Sequence, residues 1–422
     1  MKNNSLPFST ADILLPDFSL VSPYKWAVVA CDQFTSEPEY WEQAEEAVKD
    51  SPSTLRLILP EVYLKETEQR LPVIQQAMVE YEQKHLHVHK DSMIYVERTQ
   101  SDGSIRRGVV LAVDLEQYDY RKGASSLIRA TEATVIERIP PRVAIRRGAT
   151  VELPHVMLLI DDPHRTVIEP LTDSTGELAY DTDLMLGGGH IKGRFLSNED
   201  KAKVTEALLS LTLPCAIEEK YGDGALAPLL FAVGDGNHSL ASAKALYEEV
   251  KQRLGVEAAS THPARFALVE VVNIHDEALK FEPIYRVMFG TEPTDVLAEL
   301  KKYADGLEGS AAPQTVTCIY GDRKEALTIP SPVRQLTVGT LQDFIDGYIA
   351  AHLGVTVDYI HGVGSTEALS AKNGAIGFIF DGMGKSELFK TVIFDGALPR
   401  KTFSMGHAED KRYYLEARKI NA

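Results

Sequence analysis

The sequence predicts a mixed α/β (α+β) fold. Apolar runs rich in β-branched residues, such as RFALVEVVN at 265–273, alternate with segments whose apolar residues recur at helical spacing. The alternation does not have the strict strand–helix–strand regularity of a plain parallel sheet. With 422 residues, 44% of them hydrophobic, the chain is long enough for two or three domains with buried cores.

Elements in the first part of the chain follow from local patterns. We expect KWAVVAC (25–31) to form a buried strand, EPEYWEQAEEAVKD (37–50) a helix, and residues of about 65–84 a longer helix. The runs SMIYVERTQ and RRGVVLAVDL, with Ser-Asp-Gly-Ser between them, predict a β-hairpin.

The remaining elements suggest a second α/β part at the C-terminal end. PHVMLLIDDP and RFALVEVVN predict strands, and KAKVTEALLSLT predicts a helix. From about residue 291 the pattern restarts with PTDVLAELKKYADG, QTVTCIY, TLQDFIDGYIAAHLG, AIGFIF and GKSELFKTV, which alternate helix and strand. We expect one domain over 1–300 and a smaller α/β subdomain over 301–422.

Charge and composition exclude several classes of protein. A formal net charge of −17 argues against nucleic acid or an anionic membrane as the main partner, because a phosphate backbone requires a basic face. The first residues contain no apolar leader and the longest apolar runs are too short to span a bilayer, so we expect a cytoplasmic protein. Three scattered cysteines predict reduced core thiols.

FAVGDGNHSLASAK (231–244) predicts a strand-to-helix elbow that binds phosphate. Its glycines permit special backbone conformations, and the N–H groups that open the new helix form a seat for an anion. Asp235 would hold Mg²⁺ or accept a proton, and His238 would donate to a phosphoryl oxygen. The candidate phosphate-binding residues here are Gly234, Gly236, Asn237 and Ser239. An ordinary tight turn capped by Asp235 explains the stretch equally well.

The elbow resembles the Asp-Gly-His-His-Arg type of motif found in the family named domain of unknown function 1015. It is also similar to a phosphate-holding loop of the wider ParB/sulfiredoxin superfamily. WAVVACDQF, SPSTLRLILPE, RRGVVLAVDLEQY, VVNIHDEALKFEPIYRV and LPRKTFSM extend the resemblance along most of the chain. It implies a ParB/sulfiredoxin-like core in the first 300 residues or so.

This sequence departs from the family motif at Ser239, where the family has arginine, so a phosphate-binding guanidinium is missing. In LGGGHIKGRF, the alternating His190, Lys192 and Arg194 would point to one side of an extended chain and form an anion clamp, or else lie on a solvated edge strand. A second basic region contains Arg129, a candidate phosphate ligand, with Arg138, Arg142, Arg146 and Arg147, most of which we expect to face water.

Asp32 directly follows an apolar run, where enzymes often present carboxylates, and the resemblance also implies an aspartate there. We expect Asp32, Asp235 and His238 to be catalytic, with either carboxylate as the base. The resemblance implies a phosphotransferase that uses Mg²⁺ and ATP, ADP or pyrophosphate, with L-serine or O-phosphoserine as the best small-molecule substrate. The alternative is a non-catalytic nucleotide or metabolite sensor, and a homodimer is an open alternative to a monomer.

Two further motifs compete with the elbow. His85, His87 and His89 alternate in HLHVHK with a spacing that suits zinc, although a solvated face explains them better. Gly384-Lys385-Ser386 resembles the end of a P-loop, but Ile379 replaces the required first glycine, which favours an ordinary turn before a capped helix. The basic stretch at 399–412 is a candidate lid.

Overall fold

The computed structural model describes residues 6–132, 137 and 139–421. The chain divides into two compact units. The first contains the described residues of Met1–Ala130, Thr134–Leu279 and Gly406–Ala422, and the second contains those of Thr131–Ala133 and Lys280–Met405. Both units combine helices with sheets, which confirms the predicted mixed α/β class.

The strands follow one another along the chain. They are β1 (Phe8–Ser9), β2 (Ala11–Pro16), β3 (Leu86–Ser92), β4 (Ile94–Thr99), β5 (Ile105–Asp114), β6 (Tyr118–Asp119), β7 (Ile128–Ala130), β8 (Val151–Glu152), β9 (Met157–Ile160), β10 (Leu178–Asp183), β11 (His190–Phe195), β12 (Phe231–Asp235), β13 (Phe266–Asn273), β14 (Phe281–Phe289), β15 (Gln314–Tyr320), β16 (Arg323–Ile329), β17 (Thr356–His361), β18 (Ala375–Ile379), β19 (Phe403–Met405) and β20 (Arg418–Lys419).

The helices occupy the intervening segments. They are α1 (Pro23–Trp26), α2 (Pro38–Val48), α3 (Thr67–Lys84), α4 (Ile139–Arg147), α5 (Asn198–Ser210), α6 (Pro214–Tyr221), α7 (Asn237–Leu254), α8 (Val256–Ala259), α9 (Pro293–Asp305), α10 (Thr337–Ala351), α11 (Val363–Ser370) and α12 (Lys385–Phe394).

The main sheet of the first unit has the order β10-β11-β4-β5-β13-β9-β12-β7-β6, and β1 also pairs with β5. Side chains alternate between its two faces, as the strand period of two requires. Leu111 and Val269 belong to the core cluster on one face, whereas Ala112 and Leu268 belong to the cluster on the other. Because both faces are buried, the central strands have the continuous apolar runs noted in the sequence.

The second unit has a sheet of order β16-β15-β18-β14-β17, with β19 pairing with β14. Its strand pairs are antiparallel. The predicted boundary at residue 300 falls inside α9, whereas the units divide near residue 280. Residues from Gly406 onward belong to the first unit.

Most predicted elements are present, including the hairpin of β4 and β5 and the helices α2, α3 and α5. The strand predicted at 25–31 is wrong. Residues 23–26 form α1, and the following buried residues make only an isolated bridge between Val29 and Arg412. Burial against the C-terminal segment accounts for the apolar run, and such a run does not distinguish strand from other buried backbone.

Two other expectations concern cysteines and membranes. Cys318 is buried and Cys31 is half-buried, but Cys215 is exposed, so it is not a core thiol. Within the described part of the chain, every helix is too short or too polar to span a bilayer.

Candidate active site

The predicted elbow is present, and Gly236 forms its corner. Strand β12 ends at Asp235, Gly236 adopts a left-handed conformation with φ of 82°, and α7 begins at Asn237. The Gly236 N–H donates to Asp235 Oδ1 over 2.8 Å. A Cβ atom at Gly236 would lie 3.0 Å from Cγ2 of Val156, the residue before β9, so the position favours glycine both for its backbone conformation and for this close approach.

Gly234 has a packing role in this structure. A Cβ atom there would lie 2.8 Å from Leu159 Cγ, which shows that the strand approaches its neighbour β9 closely at this point. Asn237, the first residue of α7, has a buried Oδ1 without a hydrogen-bond partner among the described residues. The elbow is thus tightly packed on its β9 side.

A cavity of about 650 Å³ opens beside the start of α7. Three residues singled out in the sequence line it: Asp32, His238 and Ser239. Polar residues that the sequence analysis did not assign to the site also line it, namely Glu61, Arg142, Arg146, Glu152, His155 and Tyr413. Its apolar wall includes Leu57, Leu59, Leu64, Met78, Ile145 and Leu240. The volume lies in the range of small-molecule sites, and the mixture of polar and apolar walls is typical of them.

Asp32 is held as an anion at the wall of this cavity. Burial alone would raise the pKa of its carboxyl, but the pKa is lowered from its usual value of 3.8. The counteracting causes are the interaction with the His155 imidazole, a hydrogen bond from Gln33 Nε2 at 3.0 Å, and the charge of Lys411. Asp32 is therefore an ionised, partly desolvated carboxylate at the cavity wall.

Lys411 connects the two carboxylates that the sequence analysis paired. Its Nζ lies 3.5 Å from Asp235 Oδ2, and its charge also lowers the pKa of Asp32. The backbone holds Lys411 in place, because its carbonyl accepts a hydrogen bond from Ala30 N–H at 2.8 Å. Asp235 itself does not belong to the cavity lining found among the described residues. Its link to the cavity is Lys411, whose charge acts on both Asp235 and Asp32.

His155 and Ser239 form a second polar contact at the cavity. Ser239 Oγ lies 2.8 Å from His155 Nε2, and the imidazole packs edge-on against the Tyr413 ring with centroids 4.9 Å apart. His155 Nδ1 is buried and has no hydrogen-bond partner among the residues described. The sequence signal for His155 is a single polar residue two positions before the buried strand β9, which is too common to identify a site on its own.

Two arginines of α4 supply positive charge at the cavity. Arg142 pairs with Glu61, and Arg146 pairs with Glu152. Glu152 is buried, which would raise its pKa, but Arg418 and Arg146 together lower the pKa below its usual value of 4.5. These arginines were expected to face water, yet their side chains are only about one-fifth exposed. Arg138, expected in the same region, lies outside the described residues.

The structure does not bring His190, Lys192 and Arg194 to the elbow. They lie on β11, which is separated from β12 by β4, β5, β13 and β9, a span of about 24 Å at ~4.8 Å per strand. His190 contacts Asp183 and Asp181, both at 2.7 Å, and Lys192 Nζ lies 3.6 Å from Asp181. The alternation correctly indicated a strand, but carboxylates on the edge strand β10 pair with His190 and Lys192, and Arg194 donates to the Gly176 carbonyl.

Arg129 lies on β7, next to β12, but its guanidinium is bound to backbone. Arg129 Nε donates to Ser126 O at 2.8 Å, and Nη2 donates to Ala227 O and Pro228 O at 3.0 and 3.1 Å. The side chain is buried, and burial lowers its pKa. These contacts make Arg129 a brace for the chain that leads into β12 rather than a ligand-facing group.

The competing motifs have structural explanations. His87 lies on β3 and contacts Asp17 at 3.0 Å, and within the described residues no cluster of three or more histidine, cysteine or acidic side chains is arranged to hold a metal ion. Gly384 precedes α12, and its N–H donates to Glu387 Oε2 at 2.6 Å in a capping box, which confirms the predicted capped helix.

Comparison with known proteins gives structural and family relatives. One structural match is a variant of free serine kinase in complex with ADP, with a TM-score of 0.35 and 13% identity over 74% of this chain and 92% of the other. Another is a conserved hypothetical protein from Pyrococcus furiosus, with a TM-score of 0.32 and 13% identity over 74% and 95% of the two chains. C-terminally truncated SbnI from Staphylococcus aureus matches with a TM-score of 0.31 and 11% identity over 74% and 83%.

No curated protein matches the sequence significantly. A family model described as "Protein of unknown function (DUF1015)" matches residues 15–419, which is nearly the whole chain. This agrees with the motifs found along the sequence, and the chain belongs to the DUF1015 family.

Proposed function

We propose that this protein is a small-molecule phosphotransferase that moves a phosphoryl group between a nucleotide or pyrophosphate and a small hydroxylated metabolite. L-serine and O-phosphoserine are the best candidates for that metabolite. The observation that carries the proposal is the convergence of Asp32, His238 and Ser239 on one cavity at the start of α7. The choice of serine rests on the superfamily resemblance of the elbow, since related phosphotransferases act on free serine.

The start of α7 supports phosphate binding. The first turn of a helix presents N–H groups and a partial positive charge, and both favour an oxyanion. No side chain caps α7 at Gly236, and residues of its first turn, His238 and Ser239, line the cavity. Arg142 and Arg146 also line the cavity, where each is paired with a carboxylate, and a bound phosphate would have to recruit one of them in place of the missing motif arginine.

The reaction requires a proton acceptor near the acceptor hydroxyl. Asp32 is suited to this role because its carboxylate lines the cavity and remains ionised. Lys411 stabilises the carboxylates at this end of the cavity before the substrate binds. Positioning and charge neutralisation provide most of the catalysis in phosphoryl transfer, so backbone donors and a few charged side chains are sufficient machinery.

The residues fit a magnesium ion that arrives with the donor. Mg²⁺ commonly takes one or two carboxylates together with substrate phosphate oxygens. Asp32, which lines the cavity, and Asp235, which is paired with Lys411 nearby, would be the carboxylates that hold it. The described residues contain no larger group of acidic or histidine ligands that would form a resident metal site. When bound, Mg²⁺ would neutralise charge on the donor phosphates.

The direct test is to incubate the purified protein with L-serine, Mg²⁺ and ATP, ADP or pyrophosphate and to detect O-phosphoserine by mass spectrometry. The reverse reaction starts from O-phosphoserine. Asp32→Asn keeps the side-chain shape but removes the charge, and it should abolish most turnover while leaving donor binding nearly intact. Asp183→Asn is the matched control, because Asp183 is an exposed carboxylate on the edge strand β10.

The outcomes separate an enzyme from a sensor. An enzyme loses more turnover than binding in Asp32→Asn and in Asp235→Asn, and it is unaffected by Asp183→Asn. A protein that binds nucleotide but transfers nothing to any common amino or hydroxy acid, in either direction, would refute the kinase proposal and favour the sensor.

A further inference from the structure

The contact between Ser239 and His155 has the geometry of an activated nucleophile. A serine hydroxyl is a weak nucleophile unless a base accepts its proton, and the working heavy-atom distance is about 2.6–3.2 Å. Ser239 Oγ and His155 Nε2 are 2.8 Å apart, and both residues line the 650 Å³ cavity. Asp32 lines the same cavity as His155. A nucleophile, a base and a nearby carboxylate therefore meet where the proposed substrates bind.

Ser239 also lies where a covalently bound phosphate would be stable. It is the third residue of α7, a helix of 18 residues, and a phosphate dianion in the first turn of a helix is favoured by the helix dipole. Arg142 and Arg146 line the same cavity. These surroundings favour the phosphorylated form of Ser239 over the free hydroxyl more than an average surface position would.

We propose that Ser239 is a catalytic nucleophile that carries the phosphoryl group as a phosphoserine intermediate, with His155 as its general base. The inference rests on the proposed phosphotransferase function and specifies its route. In the first step, Ser239 Oγ attacks the terminal phosphorus of the donor. The new Oγ–P bond forms as the bond to the leaving phosphate oxygen breaks, the shortened donor departs as an anion, and the hydroxyl proton moves to His155 Nε2.

In the second step, the hydroxyl oxygen of the acceptor attacks the same phosphorus. Its proton moves to Asp32, the Oγ–P bond breaks, and His155 returns its proton to Ser239. The net change is one phosphoryl group moved from donor to acceptor and one proton released from Asp32. A direct transfer needs neither Ser239 nor His155 as reacting groups, so the two routes make different predictions.

The first experiment determines the stereochemistry of transfer with a donor that is chiral at its thiophosphoryl group. Two in-line displacements give retention of configuration at phosphorus, whereas one displacement gives inversion. Retention in the wild-type protein supports the intermediate. Inversion overturns it and leaves the phosphotransferase function standing, and the absence of any transfer from the natural donors refutes the proposed function itself.

The second experiment looks for the intermediate directly. The protein is incubated with the donor alone, quenched in acid and digested, and the peptide containing Ser239 is examined for one added phosphoryl group. We expect this label in the wild type, its loss in Ser239→Ala, and at least a tenfold slower labelling in His155→Gln. Ser242→Ala is the matched control, because Ser242 also lines the cavity but donates to the His238 carbonyl. Product formation by Ser239→Ala at the wild-type rate would overturn the proposal.

Discussion

Replacing Gly236 with alanine should destabilise the first unit more than the left-handed backbone alone explains. A non-glycine residue in this conformation costs about 1–2 kcal/mol. The added Cβ would also lie 3.0 Å from Val156 Cγ2 and 3.1 Å from Val156 Cα. Overpacking of this kind adds about 1–3 kcal/mol. We therefore expect Gly236→Ala to lower the free energy of unfolding by about 2–5 kcal/mol.

Gly222→Ala separates the two contributions. Gly222 follows α6 with φ of 83°, close to the 82° of Gly236, and a Cβ there would meet no atom of the described residues within 4 Å. It should cost only the backbone contribution of about 1–2 kcal/mol. Val156→Ala in the Gly236→Ala background should recover part of the difference, because it removes the nearer contact while the Val156 Cα remains.

Urea unfolding followed by tryptophan fluorescence suits this comparison. The chain contains two tryptophans, Trp26 and Trp41, and both are buried in the first unit, so the signal reports the unit that contains the elbow. Equal losses for Gly236→Ala and Gly222→Ala would refute the close approach of the elbow to β9. Gly236→Ala should also weaken donor binding, whereas Gly222→Ala should not.

Three other perturbations test the electrostatics of the site and its support. Glu152→Gln breaks a buried ion pair and should cost about 3–5 kcal/mol at pH 7. The folded-state pKa of Glu152 is lowered from 4.5, so the stabilisation from its ionised carboxylate is fully present above pH 4.5 and is lost as pH falls through the folded-state pKa. In urea unfolding, the difference in free energy of unfolding between Glu152→Gln and wild type should therefore become smaller in acid. Lys411→Met should raise the pKa of Asp32 towards 3.8, measured by carboxyl carbon NMR, and Lys192→Met should leave it unchanged. Arg129→Met should destabilise the protein by roughly 1–3 kcal/mol for each backbone carbonyl that loses its hydrogen bond. If Arg129→Met leaves the urea midpoint unchanged but weakens phosphate binding, Arg129 is a ligand and not a brace.

The elbow could be predicted because its determinants are local. An apolar strand, a glycine that permits positive φ and a helical pattern all lie within 231–254, so β12, Gly236 and α7 follow from neighbouring residues. Asp32 could be placed at the site because it follows a buried run, although that run is not a strand. Local patterns identify such residues without requiring knowledge of the sheet order.

The charge environment could not be predicted in the same way. Lys411 lies beside Asp235 because the C-terminal segment belongs to the first unit, where the Lys411 carbonyl accepts a hydrogen bond from the Ala30 N–H. No pattern in the sequence near residue 411 indicates this contact. His190 was predicted to be near the elbow but lies on a distant strand. Its alternation with Lys192 predicts a strand correctly, but sheet order decides which edge a strand occupies, and that order depends on contacts between distant segments.

The cations of the site differ from an open basic patch because carboxylates already neutralise them. Arg142 pairs with Glu61, Arg146 with Glu152, and Lys411 with Asp235. An incoming phosphate must weaken one of these pairs to gain a cation, so much of its Coulomb attraction is cancelled. The helix dipole at the start of α7 also attracts an anion, and this attraction does not require an ion pair to be broken. If the protein binds a phosphate donor as proposed, affinity should therefore depend on the shape of the elbow more than on the formal net charge of −17.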